Sequence, residues 1–267
     1  MVGAKRSKAA SILFIGLILV FFYVPIITLM IFSFNDSRSL TSWSGFSLRW
    51  YQQLFKSRDM MDAVYTTISV ASIATVVSTF VGTITAIGLS KSKRIIKDIV
   101  LNINELPIVN PEIVTAIGLM LLFTSMGIQK GYLTMLLAHI AFCIPYVILS
   151  VLPKLRRLDP NLAEAALDLG ATPWTALWKV IVPQIMPGII SGALIAFTMS
   201  FDDFVISYFV TGNGVKNISI LVYTMSKRIN PTINALSTII VALVSIVLIL
   251  VNVVPVFMKD KQKGKLL

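Results

Sequence analysis

Charge is scarce in this chain, and its spacing constrains the fold more than any other feature. Only 13% of the 267 residues are Asp, Glu, Lys or Arg, and they leave long intervals bare. None of the four types occurs between Lys8 and Asp36, between Asp62 and Lys91, or between Lys130 and Lys154. The same holds between Lys179 and Asp202 and between Arg228 and Lys259. A further interval, from Asp98 to Lys130, is broken only by Glu105 and Glu112. A helix needs about 20 apolar residues to cross a hydrocarbon core about 30 Å thick, and every one of these intervals is longer than that. The intervals therefore predict an all-α integral membrane protein with six transmembrane helices, near 11–33, 64–89, 101–125, 132–152, 188–210 and 234–257. Hydrophobic residues make up 56% of the chain, above the roughly 45–50% of soluble domains, so a soluble fold is excluded. The first interval is too long for a signal-peptide core and has no small-residue cleavage site, so it reads as an uncleaved helix.

Lys and Arg in short loops report orientation. One set of segments carries 15 of them: Lys5, Arg6, Lys8, Lys91, Lys93, Arg94, Lys97, Lys154, Arg156, Arg157, Lys179, Lys259, Lys261, Lys263 and Lys265. The alternate segments carry 8. The richer set is expected in the cytoplasm, which puts both termini there. The net charge of +11 is then mainly an orientation signal and not a nucleic-acid footprint. The chain divides into a first helix and outer loop (1–63), a core of five helices (64–258) and a basic cytoplasmic tail (259–267).

Between the fourth and fifth spans lies the longest cytoplasmic connection, 153–187, and it is punctuated for helices. Asp159 followed by Pro160 reads as a helix start, and Gly170 as a left-handed helix end. Thr172 and Pro173 start a second short helix in the same way. Leu158, Leu162, Ala165, Ala166 and Leu169 fall on one helical face, and Trp174 and Trp178, four apart, share another. This is a membrane-surface hairpin or a docking element offering a small-residue face to a cytoplasmic partner.

Four carboxylates fall inside the predicted spans: Glu105, Glu112, Asp202 and Asp203. A charge at the centre of a membrane helix costs about 2.5–3.5 kcal/mol on insertion scales, so such residues are functional candidates. Glu112 and Asp202 lie about 18 and 21 Å into their spans at 1.5 Å per residue, near the midplane. Asp202 and Asp203 point about 100° apart on a helix, so one faces a pathway and the other a neighbouring helix, unless the helix unwinds there; the alternative is that both are buried hydrogen-bonded spacers or helix-end caps. Phe201, Phe204, Tyr208 and Phe209, with Tyr132 and Tyr146, surround these acids and can hold ammonium groups by cation–π attraction. His139 and Cys143 share a face but are two ligands where a structural zinc site wants four. They read as packing residues, and Pro107, Pro111, Pro145, Pro183 and Pro187 as kinks or breaks.

Glu164-Ala165-Ala166, three residues, Gly170, nine residues, then Val180-Ile181-Val182-Pro183 resembles the EAA motif of the type I ABC importer permeases. The family has Ile and Leu where this chain has Val180 and Val182. Ser200-Phe201-Asp202-Asp203-Phe204-Val205-Ile206-Ser207-Tyr208-Phe209 and Pro111-Glu112-Ile113-Val114 resemble the polyamine branch of that family. The resemblance implies a five-helix permease core with a peripheral first helix, in a bacterial cell membrane. It implies a coupling helix seated in a groove of a cytoplasmic ATPase, through Leu158, Glu164, Ala165, Ala166, Gly170, Thr172, Pro173, Trp174 and Pro183. It implies a substrate pathway through Glu112, Phe201, Asp202, Asp203, Phe204 and Tyr208, with spermidine or putrescine as solute. The implied partners are a paralogous permease subunit, a homodimeric ATPase that binds ATP and Mg, an extracytoplasmic polyamine-binding protein and membrane lipid. The chain has no Gly-x-x-x-x-Gly-Lys-Ser/Thr phosphate loop, so ATP hydrolysis is expected in trans. The competing readings are a same-fold importer for a metal cation, a peptide or an oxyanion, and a proton-coupled secondary transporter.

Overall fold

The computed structural model describes residues 2–39, 41–159, 161–212, 214–226 and 230–263. The described residues are helical apart from turns, loops and an isolated bridge between Asn35 and Phe46. The chain forms two compact units, Asp62–Leu221 and a second made of Met1–Met61 with Val222–Leu267.

The second unit holds α1 (Val2–Phe32), α2 (Arg49–Lys56) and α12 (Thr232–Lys263). From Ala10 to Phe32, α1 is apolar on all sides and buries none of its most apolar stretch, as a helix facing lipid does. Its end is tied down by polar groups. Asn35 donates to the Ser39 and Ser42 carbonyls, accepts from the Ser44 amide, and offers its own carbonyl to the Trp50 indole at 2.6 Å. Arg49 covers the Trp50 ring at 4.3 Å and pairs with Asp36.

The larger unit carries α3 (Arg58–Lys91), α4 (Arg94–Val109), α5 (Glu112–Ser125), α6 (Tyr132–Arg156), α7 (Leu162–Asp168), α8 (Pro173–Ala176), α9 (Val182–Asp202), α10 (Val205–Val210) and part of α11 (Ile218–Ser226). Its axis is α6, where Met135, Ala138, His139, Phe142, Cys143, Val147 and Val151 recur at helical spacing and are buried. Glycines bring neighbours onto it: a Cβ on Gly82 would sit 2.7 Å from the Val147 Cβ, and one on Gly192 would sit 3.2 Å from the Val147 Cα. Contacts fix the directions. Ser69 meets Tyr132 and Gly82 meets Val147, so α3 runs parallel to α6. Ser200 meets His139, Ala196 meets Cys143 and Gly188 meets Ser150, so α9 runs antiparallel.

Among the described residues, four helices are long and apolar enough to cross a membrane: Ala10–Phe32, Arg58–Lys91, Tyr132–Arg156 and Pro173–Asp202. Two predicted spans require correction. The third, 101–125, is two helices, α4 and α5, bent by 106° at Asn110–Pro111, and counts as a fifth span only if the pair is taken together. Pro111 has no amide to continue the helix and pushes Asn110 out of the α region; Asn110 is extended at φ −71°, ψ 145°. The fifth, 188–210, begins earlier and ends sooner, because the helix runs from Pro173 and stops at Asp202. The predicted sixth span, 234–257, lies within α12.

Candidate translocation site and coupling segment

Two helix breaks build the site. At the first, Glu112 opens α5, with Pro111 extended before it at φ −53°, ψ 130°. Its carboxylate therefore stands at a helix N-terminus, where the unsatisfied amides favour negative charge. Glu112 lines a cavity of about 200 Å³ with Asn110, Thr115, Phe142, Tyr146, Met199 and Ile206. At the second break Asp203 is extended, φ −62°, ψ 127°, between α9 and α10. Met199 and Ile206 flank that break, so the two interruptions lie side by side.

The adjacent aspartates have opposite fates. Asp203 is 5% exposed. Its Oδ1 accepts from the Ile206 amide at 3.2 Å and its Oδ2 from the Ser207 amide at 2.7 Å, which caps α10. The His139 Nε2 stands 3.3 Å from the same Oδ2. His139 also bonds Ser200 through Nδ1 at 2.7 Å and Ser207 through Nε2 at 2.9 Å. Asn217 completes the cluster by donating to the Asp203 carbonyl and to Ser207 Oγ. A buried carboxylate is expensive unless paired and hydrogen-bonded, and this one is both. Asp202 ends α9 with an exposed side chain. The helix unwinds at this pair, the one arrangement that frees adjacent residues from the 100° rule.

The other predicted pathway residues spread over two surroundings. Phe201 stacks on Phe197 on α9 at a centroid separation of 5.7 Å, and Phe204 packs against Tyr208 at 5.4 Å. Tyr208 is 50% exposed and lines a separate cavity of about 540 Å³ with Lys130, Phe209 and Lys216. Glu105, on α4, is exposed. Tyr132 is spent on a hydrogen bond to Ser69, whereas Tyr146 shares the Glu112 cavity. The cluster of His139, Ser200, Ser207 and Asn217 escaped the sequence reading of the site. A single His on the buried face of a membrane helix was its only signal, and the residues it joins come from α9, α10 and the loop before α11, all distant from it in the chain.

In the segment 153–187, α7 starts at Leu162, later than the Asp159–Pro160 signal. Asp159 instead accepts from the Asn161 amide, and Pro160 lies outside the described residues. Gly170 takes φ +83°, and the Gly170 and Ala171 amides close onto the Leu167 and Ala166 carbonyls. Thr172 accepts from the Thr175 amide and starts α8 with Pro173 at its first position. That helix does not end as a short arm. It passes through one wide turn, Leu177–Ile181, in which the Val182 amide reaches back five residues to the Leu177 carbonyl, and continues as α9. Pro183 explains the wide turn, since it has no amide for the Lys179 carbonyl. The anticipated single face of α7 is split: Ala166 is buried and Leu158 half-buried, while Glu164, Ala165 and Leu169, 90% exposed, project outward. Trp174 and Trp178 pack edge to face at 5.6 Å.

A family model described as "Binding-protein-dependent transport system inner membrane component" matches residues 78–262. The chain belongs to this family. This transport-system component is 40% identical over 233 residues to the putrescine transport system permease protein PotI of Escherichia coli K12, covering 84% of this chain and 83% of that one. It is 36% identical over 252 residues to the spermidine/putrescine transport system permease protein PotC of the same strain, with 94% of each chain covered. A PotC homolog of Mycoplasma genitalium is 29% identical over 261 residues. Among solved structures, a bacterial ABC transporter involved in importing the acidic polysaccharide alginate matches 94% of this chain and 96% of its own, with TM-score 0.68 and 17% identity. The importer-permease fold expected from the EAA segment is therefore present, in a multi-pass inner-membrane protein.

Proposed function

We propose that this permease carries polyamines of the putrescine and spermidine class through the membrane as one subunit of an ATP-driven importer. The observation that carries the reading is the convergence of the two helix breaks. They set Glu112 on a cavity that also holds the Tyr146 ring, and the exposed Asp202 ends α9 at the break flanked by Met199 and Ile206 of that same cavity. Two carboxylates and an aromatic face suit a flexible chain with an ammonium at each end, and they would repel a polyanion such as alginate. The names of the PotI and PotC relatives support the same solute class.

In the proposed mechanism a paralogous permease forms the other half of the pathway. A homodimeric cytoplasmic ATPase binds ATP and Mg and supplies hydrolysis. An extracytoplasmic binding protein delivers the solute, and both termini of this chain lie in the cytoplasm. The outward face of α7, with Glu164, Ala165, Leu169 and Gly170, docks on the ATPase. The helix from Pro173 to Asp202 is continuous, so displacement of its docked end is passed to Asp202 at the other. Closure of the ATPase thus alters the Glu112–Asp202 spacing, which loads and then releases the solute. The test is uptake of labelled putrescine by the assembled importer with Asp202→Asn or Glu112→Gln. Uptake falling at least about tenfold at unchanged protein level, the factor that about 1.4 kcal/mol corresponds to, supports the reading. Unchanged uptake in both variants overturns it.

A further inference from the structure

A third cleft, of about 550 Å³, lies between α3 and the helix from Pro173 to Asp202, and the solute pathway makes no use of it. Its α3 wall runs from Thr75 to Ile87 and its other wall from Ala193 back to Trp178 and Trp174. The lining is apolar except for Thr75, Thr79 and Thr83, whose buried hydroxyls have no hydrogen-bond partner among the described residues. Because α3 and α9 run antiparallel, Ile87 and the two tryptophans mark the same end. Directly beyond Ile87 come Lys91, Lys93, Arg94 and Lys97, a dense run of cations. Arg94 pairs with Asp98; Lys91, Lys93 and Lys97 have no salt bridge among the described residues.

We propose that this cleft is a binding site for one anionic glycerophospholipid of the bilayer leaflet that faces the coupling segment. Three features select a lipid over a transmembrane helix. First, the α3 wall from Thr75 to Ile87 is about 18 Å long at 1.5 Å per residue, which matches one leaflet of a hydrocarbon core about 30 Å thick. A spanning helix would need a groove about twice as long. Second, the cleft ends in a tryptophan pair, the side chain that settles at headgroup level. Third, the lysines at that end complement a phosphate, and basic clusters beside membrane helices attract anionic lipids at about 1 kcal/mol per residue. An acyl chain fills the apolar walls. The bound lipid wedges α3 against the helix that joins the coupling segment to Asp202, so the leaflet's composition tunes how firmly that helix is held.

The experiment uses the full chain in nanodiscs of phosphatidylcholine containing rising fractions of brominated phosphatidylglycerol, and, separately, brominated phosphatidylcholine. The signal is the quenched tryptophan fluorescence that disappears in a Trp174→Phe/Trp178→Phe variant. The expected result is half-maximal quenching at a several-fold lower mole fraction of the anionic lipid than of the zwitterionic one. Replacing Lys91, Lys93 and Lys97 by Gln abolishes that preference, and Ala193→Phe, which fills the cleft, reduces quenching by both lipids. Equal quenching by both lipids in the native chain overturns the proposal, as does a preference that survives the lysine replacements. No quenching by either lipid, the result if a partner helix occupies the cleft, also overturns it. None of these readouts involves polyamine transport.

Discussion

Asp202 and Asp203 are neighbours of identical chemistry, and everything that separates them comes from what each carboxylate meets. Asp203 meets two amides of α10 and the His139 ring; the Asp202 side chain is exposed. Their replacements are therefore expected to fail in different ways. Asp203→Ala leaves the Ile206 and Ser207 amides without an acceptor inside the protein, a cost of about 1–3 kcal/mol. In detergent it should unfold at a lower temperature than the native chain, and uptake should fall with the loss of folded protein. Asp202→Asn should keep the native unfolding temperature while losing uptake. A thermal-shift measurement beside a transport assay separates the two. His139→Ala is expected to resemble Asp203→Ala, since it strips partners from Asp203, Ser200 and Ser207 together.

At the scale of elements, glycine decides where helices meet and where they turn. Gly192 lets α9 approach α6 closely enough that a Cβ would meet the Val147 backbone. Gly192→Val should thus overpack the interface at a cost of about 1–3 kcal/mol, seen as a lower unfolding temperature. Gly170 has open space around its Cα but a left-handed backbone. Gly170→Val should strain the α7–α8 turn by about 1–2 kcal/mol and weaken coupling between ATP hydrolysis and uptake. Asn tolerates that conformation, so Gly170→Asn should retain most of the coupling. The measurement is solute-stimulated ATPase activity of the assembled importer, compared across the three side chains.

At the scale of the whole molecule, the sorting of charge along the chain predicts its topology. The sole cysteine, Cys143, is buried, so the native chain is a silent background for labelling by a membrane-impermeant maleimide. Ser7→Cys is expected to react only from the cytoplasmic side and Lys216→Cys only from the other. Labelling of both from one side would invert the assignment. Lys130 and Lys216 stand together at the cavity beside Tyr208. A polycation meets like charge there, so uptake is expected to depend on delivery by a binding protein, and reconstitution without one should lose it.

Much of this was legible in the sequence because it depends on local rules. Intervals between charges located the apolar helices, since a membrane admits few ionisable residues whatever their neighbours. Thr172-Pro173 and Gly170 marked the turns of the coupling segment, since caps and left-handed residues act within one helical turn. The apolar pattern alone did not disclose the breaks in the third and fifth predicted spans; they were marked instead by Pro111, read as a kink or break, and by the adjacent Asp202 and Asp203, for which unwinding was one alternative. Hydropathy scores residues by polarity, and Pro111 interrupts backbone hydrogen bonding without being polar. Which aspartate is sealed, and that Glu112 heads a helix rather than sitting within one, was decided by tertiary structure. Asp203 is buried only because His139, from the middle of α6, and Asn217, from the loop before α11, arrive to satisfy it. The sequence by itself determined that this chain crosses a membrane and that it turns sharply at Gly170 and restarts a helix at Thr172-Pro173. Only the packing of α6 against α9 and α10 determined which of its rare charges is hidden and which is presented.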